Sequence, residues 1–194
     1  CAAETIGVDY CSVTEMLPGG RELLVRAGTG WREGVVGSLR LDAQSGSQAG
    51  YTLQSDEPVV VHDLRTETRF RPAPEQVAHG IVSSVTVIIR GQEGPFGTLG
   101  VFSREQRVFD REDIPYLQSV ANVLGMAIAQ RQVEQARAET IAEQNRLLVE
   151  NRQQRAFLEQ LFGAMSDAVI VYDAGGRIVQ ANLAAATSYG FDPT

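Results

Sequence analysis

Residues 109–165 read FDREDIPYLQSVANVLGMAIAQRQVEQARAETIAEQNRLLVENRQQRAFLEQLFGAM. The stretch holds two glycines, Gly125 and Gly163, and one proline, Pro115. The proline comes early enough to fall in or near a first helical turn, where a missing N–H matters least. Asp110 can cap the N-terminus, and Asp113, three residues on, has the spacing of an acidic capping box. The remainder is rich in Ala, Leu, Gln, Glu and Arg, all good helix formers. As one helix it would run to roughly 80 Å at 1.5 Å per residue. That exceeds any face of a small domain, so the helix is expected to pack on one domain, leave it and carry something further.

The apolar spacing has two regimes. One frame, with steps of 4 and 3, starts Val120, Leu124, Ala127 and reaches Ile141 and Leu148 through polar positions. A second, displaced by one residue, runs Leu147, Asn151, Gln154, Leu158, Leu161, Met165, so the frame changes near Leu147–Asn151. Sustained heptads predict a coiled coil, and polar groups at core positions lower its stability while fixing its register. A solvated single helix crossing between domains is the alternative. A lone helix of this length has no tertiary packing to hold it, which favours a parallel homodimer through Val120, Leu124, Ala127, Ile141, Leu148, Leu158, Leu161 and Met165.

The 194 residues, 43% hydrophobic and 21% charged, allow one or two ordinary globular domains. A formal charge of −7 and the lack of any basic cluster argue against nucleic acid as a partner. All 17 basic residues are arginine, which removes Schiff-base and P-loop lysine chemistry. No apolar run approaches the length of a membrane span and no signal peptide is evident. Two cysteines, Cys1 and Cys11, are too few for a disulfide framework. A cytoplasmic location is the simplest expectation. The start at Cys1 and the stop at Thr194, inside a second domain, lead us to expect a piece of a longer protein.

Upstream of the helix the pattern is mostly strand. Ile6–Met16 alternates and is rich in β-branched residues. Pro18-Gly19-Gly20 turns the chain, and Leu23–Ala27 returns as a hairpin. Gly28, Gly30, Gly34 and Gly37 read as a loose connection, followed by Leu39 and Leu41 in a short strand or tucked into the core. Ala43–Ser55 reads as a short helix, Pro58–Leu64 as a strand and Glu75–His79 as a helical turn. Ile81–Arg90 and Phe96–Ser103 are the final strands. The expected class is α+β: an antiparallel sheet with flanking helices, in which the excursion from Ala43 to Ser84 covers one face and encloses a cavity.

Several stretches carry a resemblance: Val8-Asp9-Tyr10-Cys11-Ser12-Val13; Glu57-Pro58-Val59-Val60-Val61-His62-Asp63-Leu64 with Arg69-Phe70; His79-Gly80-Ile81-Val82-Ser83-Ser84; Pro95-Phe96-Gly97-Thr98-Leu99-Gly100-Val101; and Phe109 with Asp113, Leu117, Ala121 and Ala127. In this order they make residues 1–130 resemble a GAF domain whose first helix survives as its end near Cys1 to Thr5. Ser166–Asp173, Ala174-Gly175-Gly176-Arg177, Ile178–Asn182 and Ala184 to Phe191 resemble the opening of a PAS domain. The expected domains are 1–130 (GAF-like sensor), 131–163 (signalling helix) and 164–194 (the N-terminal part of a PAS domain). Two strands and one short helix cannot bury a core alone. The arrangement resembles bacterial signalling proteins whose output is a histidine kinase or a GGDEF-type diguanylate cyclase, with no output domain in this chain.

The chemistry-bearing residues are few. His62, His79 and Cys11 have no metal-ligand spacing, which argues against metal or haem. Cys11 reads as a small buried hydrophobe. Bilin-binding relatives attach chromophore through a cysteine near the pocket, and residues 63–84 have none, which argues against a covalent bilin. Phe109 and Asp113 match part of a cyclic-nucleotide signature, but Ile114 replaces its glutamate and no lysine exists. Asp63, Glu67, Glu75 and Asp110 are scattered carboxylates read as solvated or capping, and no catalytic motif is present. The pocket expected between sheet and excursion would be faced by Tyr51, Asp63, Arg65, Phe70, His79, Ser83 and Ser84. The resulting expectation is a non-catalytic sensor that takes an unidentified small molecule and signals through a dimeric helix. A ligand-free structural dimerisation module is the rival.

Overall fold

The computed structural model describes residues 2–92 and 94–190. Cys1 and Phe191, which entered the resemblances above, lie outside the described residues. The chain divides into two units, residues 1–133 and 134–194.

The first unit is built on strands β1 (Tyr10–Met16), β2 (Glu22–Thr29), β3 (Arg40–Asp42), β4 (Val59–Val61), β5 (Ser83–Arg90) and β6 (Pro95–Ser103). They form one antiparallel sheet in the order β3-β2-β1-β6-β5-β4. The helices are α1 (Ala2–Ile6), α2 (Gln48–Ser55), α3 (Pro74–Ala78) and the start of α4 (Asp113–Ala164), with a single 3₁₀ turn at Leu64–Thr66. The class is α+β, an antiparallel sheet with flanking helices and a long C-terminal helix, as the residues led us to expect.

The period of two along each strand sorts the side chains onto two faces. Cys11, Val85, Val87, Ile89, Leu99 and Val101 point to one face, where they pack with Ala3 and Ile6 of α1, Phe109 of the segment before α4, and Leu117 and Ala121 of α4. Burying each large side chain there is worth about 1.5–3 kcal/mol. Gly125 lets α4 approach closely: a Cβ at that position would collide with the Arg90 carbonyl oxygen. The other face carries Ser12, Thr14, Ser84, Thr86 and Thr98, all buried, beneath α2, α3 and the loop after β2.

The start of α4 matches its sequence signals. Asp110 Oδ1 accepts from the Asp113 and Glu112 N–H groups at 2.9 and 2.7 Å, and Asp113 Oδ2 accepts from the Asp110 N–H at 3.3 Å. This is the reciprocal box expected of that spacing.

Three local expectations change. The strand read from Ile6 begins at Tyr10, because Ala2–Ile6 is helical and Gly7, at φ +72°, turns the chain out of it. The helix read from Ala43 begins at Gln48. Asp42 side-chain oxygens hold the Gln44 and Gly46 N–H groups in a turn, and Ser47 Oγ caps by accepting from the Gly50 N–H. The glycine-rich connection is tightly seated at its start, while Gly34 and Gly37 face open space. Side chains at Gly28 or Gly30 would strike the Cys11 or Asp9 carbonyl, and this closeness lets Trp31 fold back and donate its indole N–H to the Cys11 carbonyl at 2.9 Å.

In the second unit β7 (Ile170–Tyr172) pairs with β8 (Ile178–Ala181), followed by α5 (Leu183–Tyr189). Asn182, 1% exposed, ties it together. Its Oδ1 accepts from the Val169 and Ala185 N–H groups, and its Nδ2 donates to the Met165 and Asp167 carbonyls.

Candidate functional site

On the hydroxyl-bearing face of the sheet lies a cavity of about 40 Å³. Its floor is Ser12, Thr14, Thr86, Thr98 and Phe102; its cover is Ser47, Gln48 and Ala49 of α2, Ala73, Glu75 and Gln76 around α3, and Trp31, Val35 and Leu39 of the loop after β2. The floor is polar yet dry of charge. Thr14 and Thr98 hydroxyls pair at 2.8 Å, and Thr52 and Thr86 at 2.5 Å. Thr52 also donates to the Gln48 carbonyl, which leaves Thr86 as the donor between the two.

The cover is held by a clasp. Arg32 Nη2 donates to Glu75 Oε1 at 2.6 Å, and the Arg32 N–H donates to His79 Nε2 at 3.1 Å. Since Nε2 accepts, the proton sits on Nδ1, which donates to the Glu75 carbonyl at 2.8 Å. The His79 ring meets Tyr10 and Trp31 edge-on, and Trp31 in turn meets Phe102. A loop from one end of the sheet is thereby fastened to α3.

None of the seven residues singled out from sequence is part of the cavity's lining. Ser84 comes nearest, donating to Gln48 Oε1 at 2.9 Å. His79 belongs to the clasp. Ser83 donates to the Glu105 carbonyl and Phe70 packs in the core against Tyr51. Asp63 and Arg65 form a two-point ion pair at the surface, and the Arg65 guanidinium holds the Asp63 carboxyl below its usual range. Glu67, read as solvated or capping, accepts from the Arg69 guanidinium and the Thr68 and Arg69 N–H groups. The Arg69 side chain is the main reason its carboxyl falls to about 2. Arg69 also reaches the Val60 carbonyl and lies over the Tyr51 and Phe70 rings, pinning the segment before α3. Burial pushes the Cys11 thiol up to about 11.

Sequence reading missed Trp31, Gln48, Glu75, Gln76 and the hydroxyl floor. The available signal was Ser12/Thr14 and Ser84/Thr86 at alternate positions of strands whose other face is Val, Ile and Leu. A solvated face would carry charges there. Glu75, read as solvated or capping, has a side chain 17% exposed.

Of the helix positions, Val120 and Leu124 pack against the domain's own core. Ile141, Leu148, Leu158, Leu161 and Met165 are exposed, as is Ala127. Tyr116, Val123, Met126 and Val133 are exposed too, and they continue the frame of Leu147, Leu158, Leu161 and Met165 back to the start of α4. Val120 and Leu124 therefore do not start a separate exposed frame. Among the described residues no group of three His, Cys, Asp or Glu could hold a metal ion, and no helix is long and apolar enough to cross a membrane.

Residues 156–192 match the PAS domain family. No curated protein sequence matches the chain. Among solved structures it is similar to the GAF domain of a phosphoenolpyruvate-protein phosphotransferase from Coxiella burnetii (22% identity, TM-score 0.63, covering 69% of this chain and 79% of that one). A domain described as that of a two-component sensor histidine kinase from Sinorhizobium meliloti 1021 gives 17% identity and a TM-score of 0.56, covering 70% and 89%. A methyl-accepting chemotaxis protein gives 17% and 0.60, covering 69% and 85%. These likenesses share the fold of the first unit. Residues 2–128, well over half of the sequence, match the GAF domain family, and the chain belongs to it.

Proposed function

We propose that this is the sensory segment of a bacterial signal-transduction protein of the histidine kinase or diguanylate cyclase class. A small molecule in the cavity under Trp31 would bias the packing of α4, which would relay that bias to the PAS-like unit and to an output domain beyond it. The observation that carries the reading is the partly enclosed cavity itself, with hydroxyl-bearing residues on its floor and its cover clasped by Arg32, Glu75 and His79.

The relay is a parallel homodimer of α4. Its seam runs through Val123, Met126, Val133, Leu147, Leu158, Leu161 and Met165, whose steps keep one heptad frame. Arg137, Gln144, Asn151 and Gln154 are polar positions of that frame, suited to fixing register rather than strength. In a background with Cys1 and Cys11 replaced by serine, Leu158→Cys should form a disulfide between two copies under mild oxidation. Ala156→Cys, on the opposite side of the helix, should not. Equal cross-linking at both positions, or none at Leu158→Cys, would remove the dimer from the account.

A further inference from the structure

Two residues of the cavity lining each carry a buried polar atom with no hydrogen-bond partner among the described residues: Gln48 Nε2 and Glu75 Oε2. The identity of the first is fixed by its neighbours. The Ala73 N–H donates to Gln76 Oε1 at 2.9 Å, so Gln76 Nε2 is the donor end of that amide. It donates to Gln48 Oε1 at 3.1 Å, and Ser84 Oγ donates to the same oxygen. Turning the Gln48 amide over would set one NH₂ group against another. The free end is therefore a donor, in a residue 3% exposed.

The second atom is an acceptor. Glu75 Oε1 is satisfied by Arg32 at 2.6 Å, while Oε2 stays buried and unanswered. Glu75 is the one ionisable residue in the lining, and Arg32 already balances its charge. The cavity thus asks for a hydrogen-bond donor, not a counter-cation. The threonine hydroxyls of the floor are paired with one another and ask for less. Unanswered buried groups are rare in folded proteins and mark a missing partner. About 40 Å³ is room for roughly three waters, or a group of three to four heavy atoms.

Taking the cavity as a ligand site, as proposed above, we infer that its ligand is small and neutral and presents an N–H donor and a carbonyl oxygen, as an amide or ureide does. The N–H would go to Glu75 Oε2, and the oxygen would accept from Gln48 Nε2. A ligand with an acceptor alone leaves Glu75 unanswered, and one with a carboxylate opposes it.

Trp31, the sole tryptophan, lines the cavity and reports on it without a label. The intact chain is titrated with acetamide, acetone and acetate while Trp31 fluorescence is followed. Acetamide should saturate with a dissociation constant at least tenfold below that of either other probe. Glu75→Gln keeps an oxygen for Arg32 but turns the free acceptor into a donor, so acetate should then bind more tightly than acetamide. Should that variant fail to fold, Gln48→Glu turns the free donor into an acceptor and should abolish the tenfold preference. Acetone or acetate binding as tightly as acetamide, an order unchanged in the folded variant, or no saturation by any probe would each overturn the amide assignment. The sensing reading falls separately, if the protein isolated from cells carries no molecule of any kind.

Discussion

The clasp between Arg32 and Glu75 can be weighed by a double-mutant cycle. Arg32→Ala removes the guanidinium but leaves the N–H of residue 32 to donate to His79 Nε2. The Arg32 side chain is 62% exposed, so its own contribution is screened and small. Glu75 is different: its side chain is 17% exposed, and Arg32 is the partner of its Oε1. Without it both oxygens are left unpaired on a largely buried side chain, a loss of about 1–3 kcal/mol. We expect Arg32→Ala to cost about 2 kcal/mol in the native background and about 0.5 kcal/mol when Glu75 is already glutamine, a coupling of roughly 1.5 kcal/mol. With a urea slope of about 2 kcal/mol per molar, the single substitution lowers the midpoint by about 1 M. Trp31 fluorescence follows the unfolding of the first unit, since Trp31 sits against His79. Equal costs in the two backgrounds would refute the clasp.

Glu67→Gln should show a pH-dependent deficit. The folded carboxyl titrates at about 2, below its ordinary 4.5, so the pair with Arg69 stabilises above about pH 4.5 and its contribution fades as pH falls towards 2. We expect roughly 1–2 kcal/mol at pH 7 after screening, narrowing in urea titrations at pH 4 and 3; a constant gap would contradict the pairing. Asn182→Ala strips partners from the Val169 and Ala185 N–H groups. Their hydrogen exchange should speed up by about thirtyfold, for a loss of roughly 2 kcal/mol, with the Val87 amide unaffected; unchanged exchange at Val169 would count against the role assigned to Asn182. Cys11, buried and with its thiol held near 11, should resist iodoacetamide at pH 7.5 until urea is added, as read by peptide mapping. Rapid native labelling of its peptide would place it elsewhere.

What was legible in the sequence was local. Asp110, Asp113 and Pro115 announce a helix start through contacts three residues apart, and the alternation of Val85, Val87 and Ile89 announces a buried strand face. The α2–α3 excursion announces that something covers the sheet. The cavity itself was less legible, because its wall is assembled by long-range hydrogen bonds. Gln48 meets Gln76 28 positions away and Ser84 36 away. Trp31 was hidden because Gly28 and Gly30 look like slack, whereas here they allow close approach of backbone and ring. The helix frame was misjudged at its start for a related reason: Val120 and Leu124 satisfy a heptad on paper, but the sheet already uses them.

Native mass spectrometry on protein taken directly from cells tests the central claim, that the first unit is a ligand sensor working through a dimeric helix. The account predicts a dimer carrying extra non-covalent mass, lost when Trp31 and its neighbours unfold in mild denaturant. A monomer at bare polypeptide mass would contradict it.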